Sequence, residues 1–556
     1  MRADHSEPDL SLPADDTKSA GLGECEHFTQ IPPVEAIHEP QSVAGAFRTI
    51  LFPSGWGSER RERQEPPACF TDLNLDRILD GILSKPEEHV LRPVFYTSYR
   101  DEEIIRYRQA VFSDLERSEV FEPFPPFRDA MRSVRANLDY AGKISYKRHR
   151  HMVILRAIHL YCQAVRNLLR TLEEVELHSA GLQDLRQYLA DYTKSESFIR
   201  LATETKDLRA TLASLSYGTL FRGDEVIVRK YASEPDYTHT ILDRFARFRE
   251  AEANSPPALR LQDDFSLNHI EEGILEFLGR LFPKEFRILQ DHVTKYSSFI
   301  DAVITRLDHE IGFYTTYLAY IEPLRRMGLN FCHPQVSATS KETEVVDGFD
   351  LALAAKLAGD RQGAICNDFF LRDGERLIVV SGPNQGGKTT FARMFGQLHV
   401  LAGLGCPVPA RHARLFLPDE VFTHFEREED IVNLRGKLED ELVHLYETCQ
   451  TMTPDSLVVL NEIFNSTSLD DQIFLSTKVL ERVLATDAIG ICVTFIDGLS
   501  TLDPKTVSMV AGVIPDDPGC RTFKILRRPA DGLAYALSLA EKRGVTYERL
   551  LSRVRG

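Results

Sequence analysis

The sequence has no apolar run near the roughly 18 residues that span a bilayer, and Met1 to Ala20 are acidic and polar instead of basic then apolar. A membrane span and a secretory leader are therefore not expected. Cysteine is sparse and unpatterned, with nine residues scattered from Cys25 to Cys520, no C-x-x-C pair and no Cys/His cluster at zinc spacing. These read as small buried thiols of a reduced, cytoplasmic protein. Positive charge is in deficit. Lys and Arg number 66 against 83 Asp and Glu, a net charge of -17, so the chain is no general polyanion coat and any nucleic-acid contact must come from a local basic surface. Tryptophan occurs once, at Trp56. No repeat of fixed period and no low-complexity block is present.

What remains has ordinary globular proportions. The 556 residues are 43% hydrophobic and 27% charged, which excludes a wholly disordered or fibrous chain and suggests about three to four domains, or fewer if one is a long helical assembly. Residues 1–66 are rich in Pro, Ser, Glu, Asp and Gly and are expected to form a mostly disordered tail. Within them only Phe47-Arg48-Thr49-Ile50-Leu51-Phe52 is apolar enough to dock. Residues 67–335 carry apolar positions at helical spacing, as in Met152 to Leu160 and Ile270 to Leu278, and predict a domain of long helices. One stretch differs: Arg222-Gly223-Asp224 between β-rich runs, from Tyr217 to Arg229, reads as a hairpin. Asn254-Ser255-Pro256-Pro257 marks a short connection between helices. Residues 336–556 change texture again. Short apolar runs at Leu377 to Val380, Leu457 to Leu460 and Ile489 to Thr494 alternate with amphipathic stretches, the pattern of buried parallel strands in an α/β domain.

The first of these strands runs into Ser381-Gly382-Pro383-Asn384-Gln385-Gly386-Gly387-Lys388-Thr389-Thr390, and a helical stretch follows. This fits G-x-x-x-x-G-K-S/T in the strand-loop-helix context that phosphate binding requires. Glycines let backbone N–H groups close around a β-phosphate, and the helix N-terminus adds partial positive charge. Lys388 is placed to reach the β- and γ-phosphates of ATP, and the Thr389 hydroxyl to ligate Mg²⁺. The second strand ends in Leu460-Asn461-Glu462. Asn461 can offer a neutral oxygen to Mg²⁺ through water, and Glu462 is the candidate general base for hydrolysis.

The loop Gly382-Pro383-Asn384-Gln385-Gly386-Gly387-Lys388-Thr389-Thr390 resembles the G-P-N-M-G-G-K-S-T loop of the MutS family of mismatch-repair ATPases. Val408-Pro409-Ala410 is similar to that family's V-P-A, Val421-Phe422-Thr423 to its I-F-T-R, and Thr467-Ser468 with Asp471 to its G-T-S-T-x-D. Residues 374–551 can be laid along the family ATPase domain, with Asp531-Gly532-Leu533-Ala534-Tyr535-Ala536 against S-Y-G-L-A-V-A. Upstream, Gly328 to Pro334 resembles the close of the family's helical core and Asp72 to Asp76 its start. Asn367-Asp368 resembles the lead-in near the adenine. The resemblance implies a multidomain α and α/β fold, with a long-helix core domain (67–335) followed by a C-terminal ABC-type P-loop ATPase domain (336–556) containing a mainly parallel sheet and a C-terminal helical dimerisation segment. It also implies a homodimer with nucleotide between two copies.

Departures from the family pattern carry information. The aspartate that holds the Mg²⁺ shell is Asn461 here. The switch histidine of A-T-H falls on Phe495. The trans-acting signature S-x-F-x-x-E falls on Gly436 to Glu441, so its serine is Gly436 while Glu441 survives to act on a partner's nucleotide. Ser468 and Asp471 occupy the D-loop. The N-terminal mismatch-reading domain with its F-x-E motif has no counterpart; Phe248-Arg249-Glu250 matches only by letters and reads as a solvated helix face. The clamp between Asp243 and Glu272 is reduced. In Lys147-Arg148-His149-Arg150-His151, the residues Lys147, Arg148 and Arg150 are the best local candidates for DNA phosphate contact, although an ordinary exposed helix face is the plainer reading. The expected function is an ATP-driven conformational switch in DNA repair or metabolism without direct mismatch reading, with ATP and Mg²⁺ as cofactors and unidentified protein partners. A nucleotide-gated protein-binding scaffold with little hydrolysis is the alternative.

Overall fold

Long amphipathic periods in the sequence become long helices in the computed structural model, which describes residues 47–55, 62–222, 225–231, 267–359, 363–425, 436–514 and 517–530. By packing, the chain divides into two compact units, each discontinuous in sequence. The first contains Pro123–Val175 and the described residues of Arg186–Asp308. Its longest helix, Lys147–Glu174, buries Ile154, Ile158, Tyr161, Val165, Leu168 and Leu172. That spacing of three and four is one stripe of an α-helix. The stripe packs against the preceding helix Phe124–Lys143 and against Glu196–Ala213 and Pro283–Lys295. The ends are capped by the expected chemistry. Ser195 Oγ accepts from the Phe198 N–H, and Asn268 and Glu271 form a reciprocal capping box at the helix His269–Leu281. The expected hairpin is present as strands β1 (Tyr217–Arg222) and β2 (Glu225–Lys230), antiparallel with Arg222 opposite Glu225.

The second unit contains the described residues of Val43–Glu122, Glu176–Leu185 and His309–Gly556. This division cuts across the sequential boundary expected near residue 335, because residues 47–122 and the helical residues from His309 to Arg326 pack with the sheets. Its strands are β3 (Gln335–Ser337), β4 (Thr343–Gly348), β5 (Asn367–Leu371), β6 (Leu377–Ser381), β7 (His412–Phe416), β8 (Val421–His424), β9 (Leu457–Asn461), β10 (Ile489–Val493), β11 (Thr506–Ile514) and β12 (Asp517–Arg527). They form a six-stranded sheet in the order β12-β11-β6-β10-β9-β8 and a four-stranded sheet in the order β3-β7-β4-β5. In the larger sheet every pairing is parallel except β11 with β12. Strands β6, β9 and β10 are buried at all five positions, which is why they read as unbroken apolar runs.

The helix Lys388–Leu404 is the axle of this unit, buried at every residue from Phe391 to Leu404 except Arg393. Its buried Gln397 amide donates to Leu73 O (2.8 Å) and to Asp350 Oδ1 (3.0 Å) and accepts from the Leu351 N–H. Near its C-terminus the buried Arg108 donates to Leu404 O (3.0 Å) and Leu51 O (3.1 Å). The rings of Phe52, Tyr99 and Phe313 lie around its guanidinium, contacts that substitute for lost hydration. The apolar patch of the expected tail therefore docks: Phe47, Ile50 and Leu51 are buried, and Glu310 accepts from the Ile50 N–H and the Thr49 hydroxyl. Residues 1–46, Trp56, Phe248-Arg249-Glu250, the break at Asn254 to Pro257, most of the stretch from Asp243 to Glu272, and the whole segment from Asp531 that includes the expected dimerisation helix lie outside the described residues. Among the described residues no helix is long and apolar enough to cross a membrane.

Gly405 closes the axle helix with φ +79°, and a Cβ there would lie 2.7 Å from Arg108 Cβ. Only glycine meets both conditions. Gly405→Ala is expected to destabilise this unit by about 1–3 kcal/mol, read as a lower midpoint in thermal unfolding of the full chain.

Candidate nucleotide site

Three adjacent parallel strands, β6, β10 and β9, end side by side in the interior of the larger sheet, and the carboxyl end of each delivers one part of the site. Ligands of open α/β sheets bind at such carboxyl ends. The loop after β6 turns through left-handed conformations at Gly382 (φ 115°), Gln385 (φ 58°) and Gly387 (φ 89°). A Cβ on Gly382 would come 3.0 Å from Ala511 N, and one on Gly386 would come 2.9 Å from both Ala511 Cβ and Pro383 O. The loop is thus pressed against β11, which explains the glycines at these two positions. Gly387 begins the helix without a side-chain cap, leaving first-turn N–H groups for an anion.

Lys388 folds back under this loop. Its Nζ donates to Gly382 O (2.8 Å) and Pro383 O (3.2 Å), and only 4% of the residue is exposed. The ring of Phe495, at the end of β10, lies 4.1 Å from the same Nζ. Burial pushes the Lys388 ammonium down to about 8; the nearby Glu462 charge pulls it up, and Arg521 pushes it further down.

At the end of β9, Asn461 is buried and its Oδ1 has no hydrogen-bond partner. An orphaned buried oxygen of this kind calls for a polar occupant. Glu462 follows in a left-handed conformation (φ 55°), its N–H bonded to Val493 O of β10. Phe464 is also left-handed (φ 57°). This strained turn is held by Glu441. The resemblance sends that residue to a partner's nucleotide, but here it is 8% exposed, and its Oε1 accepts from the Phe464 N–H (2.7 Å) and pairs with His424 Nε2 (2.9 Å) in its own chain. Gly436 is exposed and starts the helix Lys437–Thr451. Ser468 caps the helix Leu469–Thr486, its Oγ accepting from the Asp471 N–H and donating to Asp471 Oδ2.

Some contacts carry no motif. Arg521 Nε donates to Asn384 O (3.2 Å), and the Asn367 side chain joins β5 to β12 by donating to Phe523 O and accepting from the Ile525 N–H. Asn367, expected near the adenine, thus has a structural task. Arg521 had no signal in the sequence beyond its charge. The basic run belongs to the first unit, at the start of the helix Lys147–Glu174. Arg148 lies across Gly279 and pairs with Glu276, and Arg150 donates twice to Ile144 O. Lys147 is exposed. Two of the three expected phosphate contacts already have partners inside the fold.

Residues 378–517 match the family MutS domain V, and residues 100–327 match MutS2 N-terminal domain. The chain is a MutS-like protein. It is similar to DNA mismatch repair protein MutS 2 of Halobacterium salinarum, 30% identical over 189 residues that make up 33% of this chain and 22% of that relative. It is also similar to MutS of Orientia tsutsugamushi, 29% identical over 28% of this chain and 17% of the relative. MutS protein homolog him-14 of Caenorhabditis elegans is 26% identical over 33% of this chain and 22% of its own length. The matched part spans about a fifth of each relative.

The residues fit a magnesium-bound nucleoside polyphosphate. The uncapped helix start and the Lys388 ammonium answer the phosphate charge, and the unpaired Asn461 Oδ1 can accept from a metal-bound water. Because polyphosphate binding needs the ammonium form, affinity should weaken as pH rises through about 8. From about pH 7 to about pH 9 the loss should be roughly tenfold. Nucleotide titrations across this range check it; Lys388→Arg, which stays charged, should flatten the dependence.

Proposed function

We propose that this MutS-like chain is an ATP-dependent conformational switch acting in DNA repair or a related branch of DNA metabolism. The observation that carries the proposal is the convergence of the strained phosphate loop, Asn461-Glu462 and Phe495 at the ends of β6, β9 and β10. ATP bound there with Mg²⁺ would be held by the loop amides, Lys388 and Thr389, with Asn461 acting through water. Glu462 is half-buried at the strand end, where its carboxylate can take a proton from an attacking water. The residues of this chain therefore bind, orient and accept a proton, while Mg²⁺ would supply charge stabilisation for the phosphoryl group.

A homodimer is part of the proposal, with the D-loop residues Ser468 and Asp471 and the exposed Gly436 facing the second copy. Glu441 acts within its own chain in this reading, because its buried carboxylate fixes the turn that carries Glu462. DNA as a partner draws on the relatives' names, which refer to DNA mismatch repair. We place no mismatch-reading role in this chain. The scaffold alternative draws on two observations: a neutral Asn461 where a carboxylate is expected, and an aromatic ring over the phosphate-binding lysine.

Lys388→Ala is expected to abolish retention of labelled ATP by the full chain, since it removes the charge-assisted contact to the phosphates. Glu462→Gln should lower ATP turnover by roughly a hundredfold or more while leaving binding nearly unchanged. Wild-type turnover no higher than that of Lys388→Ala would replace the enzyme reading with the scaffold. In a competition at fixed salt, matched and mismatched duplexes should differ in binding by less than about 1 kcal/mol. A clear mismatch preference would place lesion reading in this chain after all.

A further inference from the structure

Phe495 stands out because it is large, apolar and 46% exposed just beyond β10, a strand buried throughout. The segment bearing it is fixed. The Thr494 N–H bonds to Val380 O of β6, and the Thr494 hydroxyl accepts from the Ile496 N–H. A short 3₁₀ helix, Asp497–Thr501, follows directly. The side chain is thus aimed from a rigid base at a specific target, Lys388 Nζ, 4.1 Å from the ring centroid. Lys388 has three N–H donors. Two point to Gly382 O and Pro383 O, and the π face of Phe495 lies against the ammonium they leave.

We propose that Phe495 is a positioning residue that gates nucleotide entry, its ring covering the face of the Lys388 ammonium that an incoming polyphosphate must take. The proposal rests on the phosphate-loop reading and adds what sets its affinity. In the ligand-free chain the ring substitutes for solvent over a buried cation, a contact that strengthens with desolvation. An anion that reaches Lys388 must displace the ring or share the ammonium with it. Unlike a histidine at the same place, a phenyl ring offers no donor to the phosphate.

The test uses the full chain and a non-hydrolysable ATP analogue with Mg²⁺, titrated by calorimetry. Phe495→Ala should bind the analogue more tightly by roughly two- to thirtyfold, the range expected when a competing cation–π contact is lost. Phe495→Leu, which keeps bulk without a ring, should move with Ala, and Phe495→Tyr, which keeps the ring face, should stay near wild type. Unchanged or weaker binding by both Ala and Leu variants overturns the gate. Failure of every variant, wild type included, to bind the analogue overturns the phosphate-loop reading instead, and the gate falls with it. A second measurement needs no nucleotide. Modification of Lys388 by an amine-reactive reagent, followed by peptide mass spectrometry, should be faster in Phe495→Ala than in wild type. Equal rates would mean that the ring does not cover the lysine, and the proposal fails.

Discussion

The burial of the helix Lys388–Leu404 on nearly all its faces is the constraint on which the rest of the second unit depends. A helix with a wet face can slide or rotate at little cost. This one cannot, because it has apolar neighbours around most of its circumference, a satisfied Gln397 amide in the middle and glycines in left-handed conformations at both ends. Close packing of this kind makes an element's position discrete instead of continuous. The phosphate loop inherits that precision, since its last glycine is the start of the helix.

Charge is then arranged against the grain of burial. Lys388 is nearly inaccessible, yet its ammonium donates to two backbone carbonyls and lies against an aromatic ring. Backbone strain is concentrated nearby, at Gln385, Glu462 and Phe464, all left-handed without being glycine. Strained backbone and an under-compensated cation are stable only where the surroundings over-determine them. Here Glu441, His424 and the strand pairing of β9 with β10 do so. The same features leave a polyphosphate with favourable interactions waiting for it, because an anion relieves the desolvation of the ammonium that folding has imposed.

Much of this was legible in the sequence. The parallel strands announced themselves as unbroken apolar runs, the hairpin as an Arg-Gly-Asp turn between β-rich segments, and the loop as glycines spaced for a phosphate. These are local patterns in which each residue is explained by its neighbours in the chain. The contacts that escaped join residues far apart in the chain. Nothing in Gly436 to Glu441 announces that Glu441 reaches the Phe464 amide, and nothing near Phe495 announces Lys388. Residues 47–55 read as part of a tail because their partners, Arg108 and Glu310, are far away in the chain. The compact units escaped for the same reason, since a sequential reading draws boundaries between neighbours and the packing does not follow them.

The Gln397 amide has a consequence for how the chain comes to be folded. It joins Leu73, 324 residues away, to the axle of the second unit, and Arg108 does the same for Leu404 across 296 residues. Contacts of such long sequence separation form late, since the loop they close must be ordered before they are made. During synthesis from the N-terminus, the segments around Leu73 and Arg108 emerge long before the helix that completes them. Their apolar faces must wait uncovered through the synthesis of the entire first unit. Such waiting surfaces are where a growing chain is open to misassembly, so the discontinuous architecture links the phosphate loop's precision to a period of vulnerability on the ribosome.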